Sequence, residues 1–108
     1  QALYEYQSII AELTGMDIVN SSMYDWASAA GEALRMSIRV SKINKVLLPG
    51  FIFKNRLDVI QTYLSGLDTE IIYYKLNRDG DIDLAFIEEN CKDGCGGLYI
   101  EVPNYYGY

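Results

Sequence analysis

The chain has 108 residues, 50% of them hydrophobic and 22% charged, and its nine basic and fifteen acidic side chains leave a net charge of −6. This composition is that of one globular domain over residues 1–108, and it argues against nucleic acid or an anionic membrane as partner, since both need clustered lysine and arginine. No apolar run approaches the roughly 20 residues that cross a bilayer, so we expect a cytoplasmic protein.

The first part of the chain predicts two helices separated by a short strand. Apolar residues recur at helical spacing over Ala2–Leu13, and Gly15 ends that helix. Asp17–Val19 is the strand candidate. The second helix runs from Tyr24 to about Val40, and its small side chains favour close packing against a sheet.

The rest of the chain alternates strands with helices. Lys45–Leu48 reads as a buried parallel strand and Lys54–Leu64 as a helix. The remaining elements are the strand Glu70–Tyr74, a helix from the N-cap Asp83 to about Cys91, and the strand Leu98–Val102. This order predicts an α/β fold of three layers, α/β/α, in which helices cover both faces of a mainly parallel sheet.

Ligands of such sheets bind beyond the carboxyl ends of the strands. Four loops are predicted there, and they span residues 20–25, 49–53, 76–81 and 103–108. Three of them carry groups that a cofactor could use: the amide and hydroxyls of Asn20, Ser21 and Ser22, the rings of Phe51 and Phe53, and the amide of Asn104.

The turn Asn20–Asp25 has two interpretations. The free N–H groups of a helix start attract an anion, and the hydroxyls of Ser21 and Ser22 would add donors to such a site. Alternatively, Ser22 and Asp25 form only an N-cap and capping box. The pattern by itself favours the second interpretation.

The cysteines and the absence of histidine limit the chemistry of the chain. Cys91 and Cys95 supply too few ligands for zinc, so we expect no metal site and two free thiols. Without histidine, a Ser-His-Asp or Cys-His centre cannot be assembled. We therefore expect no catalytic residue in this chain.

Two separated segments resemble one family. They are Gln1–Met36, with the motifs Glu12-Leu13-Thr14-Gly15-Met16-Asp17 and Asn20-Ser21-Ser22-Met23-Tyr24-Asp25, and the later motif Pro103-Asn104-Tyr105-Tyr106-Gly107. Together they resemble glycine dehydrogenase (decarboxylating), the P-protein of the glycine cleavage system. The Met-Tyr-Asp version is similar to the amino-terminal subunit, subunit 1, of enzymes split into two chains. Trp26 departs from the family pattern, which usually has a small residue after the aspartate.

The resemblance implies an internal fragment of that subunit and part of the large domain of the aminotransferase-like pyridoxal-phosphate fold. It implies an enzyme complex that decarboxylates glycine and passes the aminomethyl group to the lipoyl arm of H-protein. The Schiff-base lysine would belong to the partner, glycine dehydrogenase subunit 2, so this chain alone is expected to be inactive. By analogy, the residues that contact pyridoxal 5'-phosphate would be Asn20, Ser21 and Ser22 at the phosphate, Phe51 beside the ring, and Asn104 near the ring hydroxyl.

Two other functions stay open at this point. The chain could be part of a non-catalytic scaffold subunit with a relic cofactor pocket, or an unrelated nucleotide-binding α/β domain, although it lacks a Gly-rich phosphate loop. The implied fold also predicts that Asp17–Val19 pairs with strands outside this chain while the other three strands are neighbours. The sheet would then have an unsatisfied edge and a tendency to self-associate.

Overall fold

The structure, a computed structural model, describes residues 1–108 as four α-helices, three β-strands and one 3-10 turn. The helices are α1 (Ala2–Thr14), α2 (Trp26–Ser41), α3 (Lys54–Leu64) and α4 (Leu84–Cys91). The strands are β1 (Lys45–Pro49), β2 (Glu70–Tyr74) and β3 (Gly97–Leu98), and the 3-10 turn is Ser65–Leu67. No helix is both long and apolar enough to cross a membrane.

The three strands form one parallel sheet in the order β2-β1-β3. The pairing of β1 with β2 runs from Lys45 opposite Glu70 to Pro49 opposite Tyr74. β3 pairs with β1 over only two residues, with Leu98 opposite Leu47. The predicted parallel sheet is confirmed, and so is the neighbourhood of these three strands.

The core lies on both faces of β1. Successive side chains of a strand point to opposite faces, so the fully buried Val46 and Leu48 face one helix layer while Leu47 faces the other. The first layer is α2 with α3, which contribute Ala30, Leu34, Ile38, Ile60 and Leu64. The second layer is α4, whose Ile87 packs with Leu47 and Tyr74. The three-layer α/β/α prediction is therefore confirmed.

The layer of α2 and α3 depends on a close approach at Gly31. A Cβ atom placed on Gly31 would lie 2.6 Å from the ring of Tyr63, which belongs to α3. Small residues on the inner stripe of α2 thus allow the two helices to meet, whereas their pattern had predicted close packing against the sheet. The other small stripe of α2, which includes Ala33 and Met36, faces outward.

Two predicted strands are wrong or too long. Asp17–Val19 forms no strand, because no described segment offers it a hydrogen-bonding neighbour. The strand predicted at Leu98–Val102 stops at Leu98. Pro49 has no N–H with which to extend β1 toward it, and the carbonyl of Tyr99 accepts a bond of 2.7 Å from the hydroxyl of Tyr74.

Two helices also differ from their prediction. α2 begins at Trp26, two residues after the predicted Tyr24, because Asp25 caps it. α1 has the predicted bounds within one residue and ends in a left-handed Gly15, with φ of 68°. Its apolar face nevertheless buries no residue. The helical pattern was read correctly, but its apolar face stays exposed in this structure.

Candidate functional site

The carboxyl ends of the three strands lie at one edge of the sheet, which we call the carboxyl edge. A helix that connects parallel strands runs in the opposite direction, so α3 and α4 begin at this edge. The hydrogen bond from Trp26 to Tyr99, which follows β3, places the start of α2 there as well. The loops 50–53, 75–83 and 99–108 leave the strands there. Three of the four predicted site loops therefore follow strands of one sheet.

Aromatic rings join the loops that follow β1 and β3. The ring centroids of Phe53 and Tyr105 are 4.6 Å apart, and those of Phe51 and Tyr106 are 6.1 Å apart. Phe51 also meets the edge of the buried Tyr74 ring at 5.7 Å. These contacts line an open cavity of about 420 Å³ at the carboxyl edge, the aromatic cavity.

Asn104 shapes the loop that carries Tyr105 and Tyr106. Its side-chain Oδ1 accepts from the backbone N–H groups of Tyr106 at 2.9 Å and Tyr108 at 3.1 Å. Its Nδ2 donates to no group of the protein, so both N–H groups of this amide remain for a ligand. The ring of Tyr108 lies against Gly80, where a Cβ atom would be 3.1 Å away. The structure thus brings three site loops together and places Phe51 and Asn104 on adjoining segments.

A buried carboxylate lies behind these loops. Glu101 is 7% exposed, and its Oε1 accepts from the guanidinium of Arg56 at 3.2 Å and from the hydroxyl of Tyr99 at 2.9 Å. The indole of Trp26 donates to the same Tyr99 hydroxyl. The guanidinium carbon of Arg56 stands 3.6 Å from the Trp26 ring centroid and 4.9 Å from that of Phe53. We call these five residues the Glu101 cluster.

The cluster keeps two tyrosine hydroxyls protonated. Burial, followed by the hydrogen bond and charge of Glu101, raises the pKa of Tyr99 well above its usual 10.0. Burial also raises the pKa of Tyr74 to about 12, with a further contribution from the charge of Glu101. At neutral pH both hydroxyls are therefore donors, Tyr99 to the carboxylate and Tyr74 to the Tyr99 carbonyl.

Sequence reasoning missed the Glu101 cluster, although it left two signals. Glu101 is a charge inside the otherwise apolar segment Leu98–Val102, where a buried strand was predicted. Trp26 is a large ring in the first turn of a helix that is otherwise rich in small residues, and the structure gives this ring a cation and a hydrogen-bond acceptor. Neither signal identifies Arg56 as the partner, because the three residues are far apart in sequence.

The turn that begins at Asn20 lies at a different cavity. Asn20 accepts a bond of 2.7 Å from the Ser22 N–H through its side chain. Asn20 and Ser21 line an opening of about 330 Å³ together with Leu3, Tyr6 and Met23. This opening shares no lining residue with the aromatic cavity. The hydroxyls of Ser21 and Ser22 make no hydrogen bond within the protein. The structure thus does not join this turn to Phe51 and Asn104.

The start of α2 is capped by Asp25. Its carboxylate accepts from the Ser28 N–H at 2.8 Å, and this backbone bond is the main reason why the pKa of Asp25 is lowered from 3.8. The expected capping box is corrected accordingly, since Asp25 and not Ser22 is the N-cap. A carboxylate of the chain itself takes the place at the helix start that an anion would favour.

Cys91 and Cys95 are free thiols, as predicted. Both pack against the cluster formed by Leu47, Tyr74 and Ile87. Burial raises the pKa of Cys91, with a smaller contribution from Cys95. Because Cys95 precedes β3, this pair lies at the amino end of the sheet, away from the carboxyl edge.

Comparison with known proteins gives one consistent result. A family model described as "Glycine cleavage system P-protein" matches residues 1–108. The "Probable glycine dehydrogenase (decarboxylating) subunit 1" of Thermococcus onnurineus is 47% identical over 107 residues, which are 99% of this chain and 24% of the relative. The protein of the same name from Staphylothermus marinus is 48% identical over 110 residues, 100% of this chain and 24% of the relative.

A solved structure is similar in fold as well. It is the "Crystal structure of glycine decarboxylase (P-protein) of the glycine cleavage system, in inhibitor-bound form", with a TM-score of 0.65 and 34% sequence identity. The match covers 71% of this chain and 18% of that one. The chain spans about a quarter of the length of the curated relatives it matches.

Proposed function

Because the chain belongs to the glycine cleavage system P-protein family, we propose that it is part of subunit 1 of a glycine dehydrogenase (decarboxylating) split into two chains. The intact subunit would act in the cytoplasm with subunit 2, decarboxylating glycine and passing the aminomethyl group to the lipoyl arm of H-protein. The support is that relatives named subunit 1 match the whole chain at 39–48% identity. Residues 1–108 would be a single partial domain of that subunit.

The observation that carries the proposal is the meeting of Phe51 with the Asn104 loop at the carboxyl edge. Pyridoxal phosphate, when bound, would draw electrons from the α-carbon of glycine. The residues present fit its ring, because Phe51 offers an apolar face and Asn104 has an amide donor with no protein acceptor. Phe51 would border the ring, and Asn104 would donate to the ring oxygen.

The phosphate half of the site has weaker support. Ser21 and Ser22 each have a hydroxyl without a protein partner, and Asn20 holds their turn through the Ser22 N–H. We propose these three residues as the phosphate side by analogy with the family. In this structure their turn lies at a different opening from the aromatic cavity. One cofactor molecule could contact both only if the turn and the loops of the aromatic cavity lay closer together in the assembled enzyme.

We propose that none of the five lysines of the chain attaches the cofactor covalently, although Lys75 follows β2 directly at the carboxyl edge. Lys45 donates to the Asn90 carbonyl, and Lys42 caps the far end of α2. Lys54 borders the aromatic cavity, but it pairs with Asp58 at 2.7 Å. We propose that the attaching lysine is supplied by subunit 2.

The proposal is tested with the intact subunit 1, purified subunit 2 and lipoylated H-protein. We expect carboxyl-labelled glycine to release labelled carbon dioxide only when both subunits are present. Subunit 1 alone, incubated with stoichiometric pyridoxal phosphate and desalted before reduction with borohydride, should retain no cofactor. A covalent cofactor adduct on subunit 1 by itself would contradict the assignment of the lysine to subunit 2.

A scaffold role is the second candidate, and the capped start of α2 favours it. Asp25 already occupies the place of an anion there, so the turn at Asn20–Ser22 would be a relic. Alanine at Ser21, Ser22 and Asn104 of the intact subunit distinguishes the two functions. Unchanged turnover with normal assembly would support the scaffold, whereas weaker cofactor binding would support the cofactor site.

A further inference from the structure

The Glu101 cluster joins three segments at the carboxyl edge. Trp26 begins α2, Arg56 lies in the first turn of α3, Phe53 ends the loop after β1, and Tyr99 with Glu101 follows β3. The polar members are linked by bonds of 2.7 to 3.2 Å. The carboxylate of Glu101 and the hydroxyl of Tyr99 therefore tie the starts of α3 and α2 to the segment that follows β3.

A buried ion pair is a costly way to gain stability, since apolar residues of similar volume often stabilise a core as well or better. Its bonds have direction, however, and apolar contacts do not. Two kinds of contact orient the guanidinium of Arg56: the ion pair with the Glu101 carboxylate, and stacking on the rings of Trp26 and Phe53. Such a planar, stacked guanidinium is not replaceable by lysine.

The cluster is adjacent to both loops of the aromatic cavity. Glu101 lies three residues before Asn104, and Phe53 lies two residues after Phe51. The Phe53 ring also contacts Tyr105, the residue that follows Asn104, with centroids 4.6 Å apart. A shift of Glu101 or Arg56 would therefore move the two loops relative to each other.

We propose that Glu101 is a positioning residue, which acts through Arg56 and Tyr99 to hold Phe51 and Asn104 in the arrangement that the cofactor ring requires. This inference rests on the proposed function, because it concerns the same site. Glu101 does not touch the cofactor in this scheme. Its effect is on the geometry of the loops, where displacements of about 1 Å change rates by roughly a hundredfold.

The test uses the intact subunit 1 assembled with subunit 2. Glu101→Gln keeps the size of the side chain and removes its charge. We expect the dissociation constant of pyridoxal phosphate to rise roughly tenfold or more, and the visible circular dichroism of the bound cofactor to change at saturation. Arg56→Lys keeps the positive charge but loses the planar fork, and it should act in the same direction.

Glu88→Gln is the matched control. Glu88 is an exposed carboxylate of α4 with no hydrogen bond or ion pair, so its replacement removes the same charge without touching the cluster. We expect cofactor binding and circular dichroism like those of the wild type.

Three outcomes separate the positioning role from its alternatives. If both cluster variants only reduce the amount of assembled complex, while that complex binds cofactor with wild-type affinity and dichroism, the role is overturned and the cluster is merely structural. If Asn104→Ala weakens cofactor binding and both cluster variants do not, the positioning role alone is overturned. If Phe51→Ala and Asn104→Ala both bind as the wild type does, the site assignment of the proposed function fails and the positioning role falls with it.

Discussion

The indole N–H of Trp26 donates a hydrogen bond of 2.7 Å to the hydroxyl of Tyr99, a residue 73 positions further along the chain. The bond connects the start of α2 with the segment after β3. It also gives a physical role to Trp26, the one tryptophan among these 108 residues. The large ring at the first turn of α2 is accommodated because Arg56 stacks on it.

Trp26→Phe tests this bond. Phenylalanine keeps a ring beneath Arg56 but cannot donate to Tyr99, so we expect the free energy of unfolding to fall by about 1 kcal/mol. Trp26→Ala also removes the stacked cation and should cost about a further 0.5 to 1 kcal/mol. Urea unfolding of the chain, followed by far-ultraviolet circular dichroism, measures both changes. Equal stability of Trp26→Phe and wild type would show that the Tyr99 bond contributes nothing.

Gly31→Ala tests the contact between α2 and α3. Alanine favours a helix by about 1 kcal/mol over glycine, yet its Cβ would lie 2.6 Å from the Tyr63 ring. Overpacking of this kind costs about 1 to 3 kcal/mol, so we expect no gain in thermal stability and a lower melting temperature. Gly66→Ala is the control, since a Cβ atom there meets nothing within 4 Å. A melting temperature raised by Gly31→Ala would contradict the close approach.

The raised pKa of Tyr74 predicts that the folded protein loses stability in alkali. Its pKa is about 12 in the folded protein, against 10.0 ordinarily. A raised folded-state pKa stabilises the protein fully below pH 10, and this contribution disappears as the pH rises from 10 to 12. Tyr74→Phe has no such group to titrate. We expect the stability difference between wild type and Tyr74→Phe, measured by urea unfolding from pH 8 to 12, to shrink across that window. A constant difference would exclude the effect.

The lowered pKa of Asp25 predicts that the folded protein loses stability in acid. Its pKa lies below 3.8 because the ionised carboxylate accepts from the Ser28 N–H. A lowered folded-state pKa stabilises the protein above the ordinary value and ceases to do so as the pH falls through the lower one. Asp25→Ala should therefore be less stable than wild type at pH 7 and approach it below pH 3.8. A stability difference between Asp25→Ala and wild type that stays constant from pH 7 to below 3.8 would contradict this contribution.

The parts of the fold that were predictable depend on local pattern. β1 is a short apolar run whose three central residues are fully buried, and the bounds of α3 and β2 agree with their prediction. The meeting of Phe51 with the Asn104 loop followed from the rule that parallel strands end at one edge. The Asp17–Val19 strand failed because a strand needs a neighbour, which no local pattern supplies.

The Glu101 cluster lay beyond prediction for a related reason. Trp26, Arg56 and Glu101 are 30 and 45 positions apart, and no periodicity relates them. A charge in an apolar segment signals a buried partner, but it does not say which of the nine basic residues that partner is. The relation of the Asn20–Ser22 turn to the aromatic cavity was likewise not predictable, because the strand expected to hold the turn does not form.

The exposed apolar face of α1 predicts that this helix opens more easily than the sheet. Its apolar side chains Leu3, Ile9 and Leu13 are more than half exposed, and it buries no residue. An isolated helix of 13 residues is marginal in water, so its amides should open locally. We expect hydrogen exchange in α1 to be far faster than in β1, whose residues 46–48 are fully buried. The exchange of α1 and β1 is compared over a series of protein concentrations, beginning with a low one. Protection of α1 that rises with concentration would indicate that its apolar face packs on a second copy, whereas protection equal to that of β1 at every concentration would contradict the exposed position of the helix.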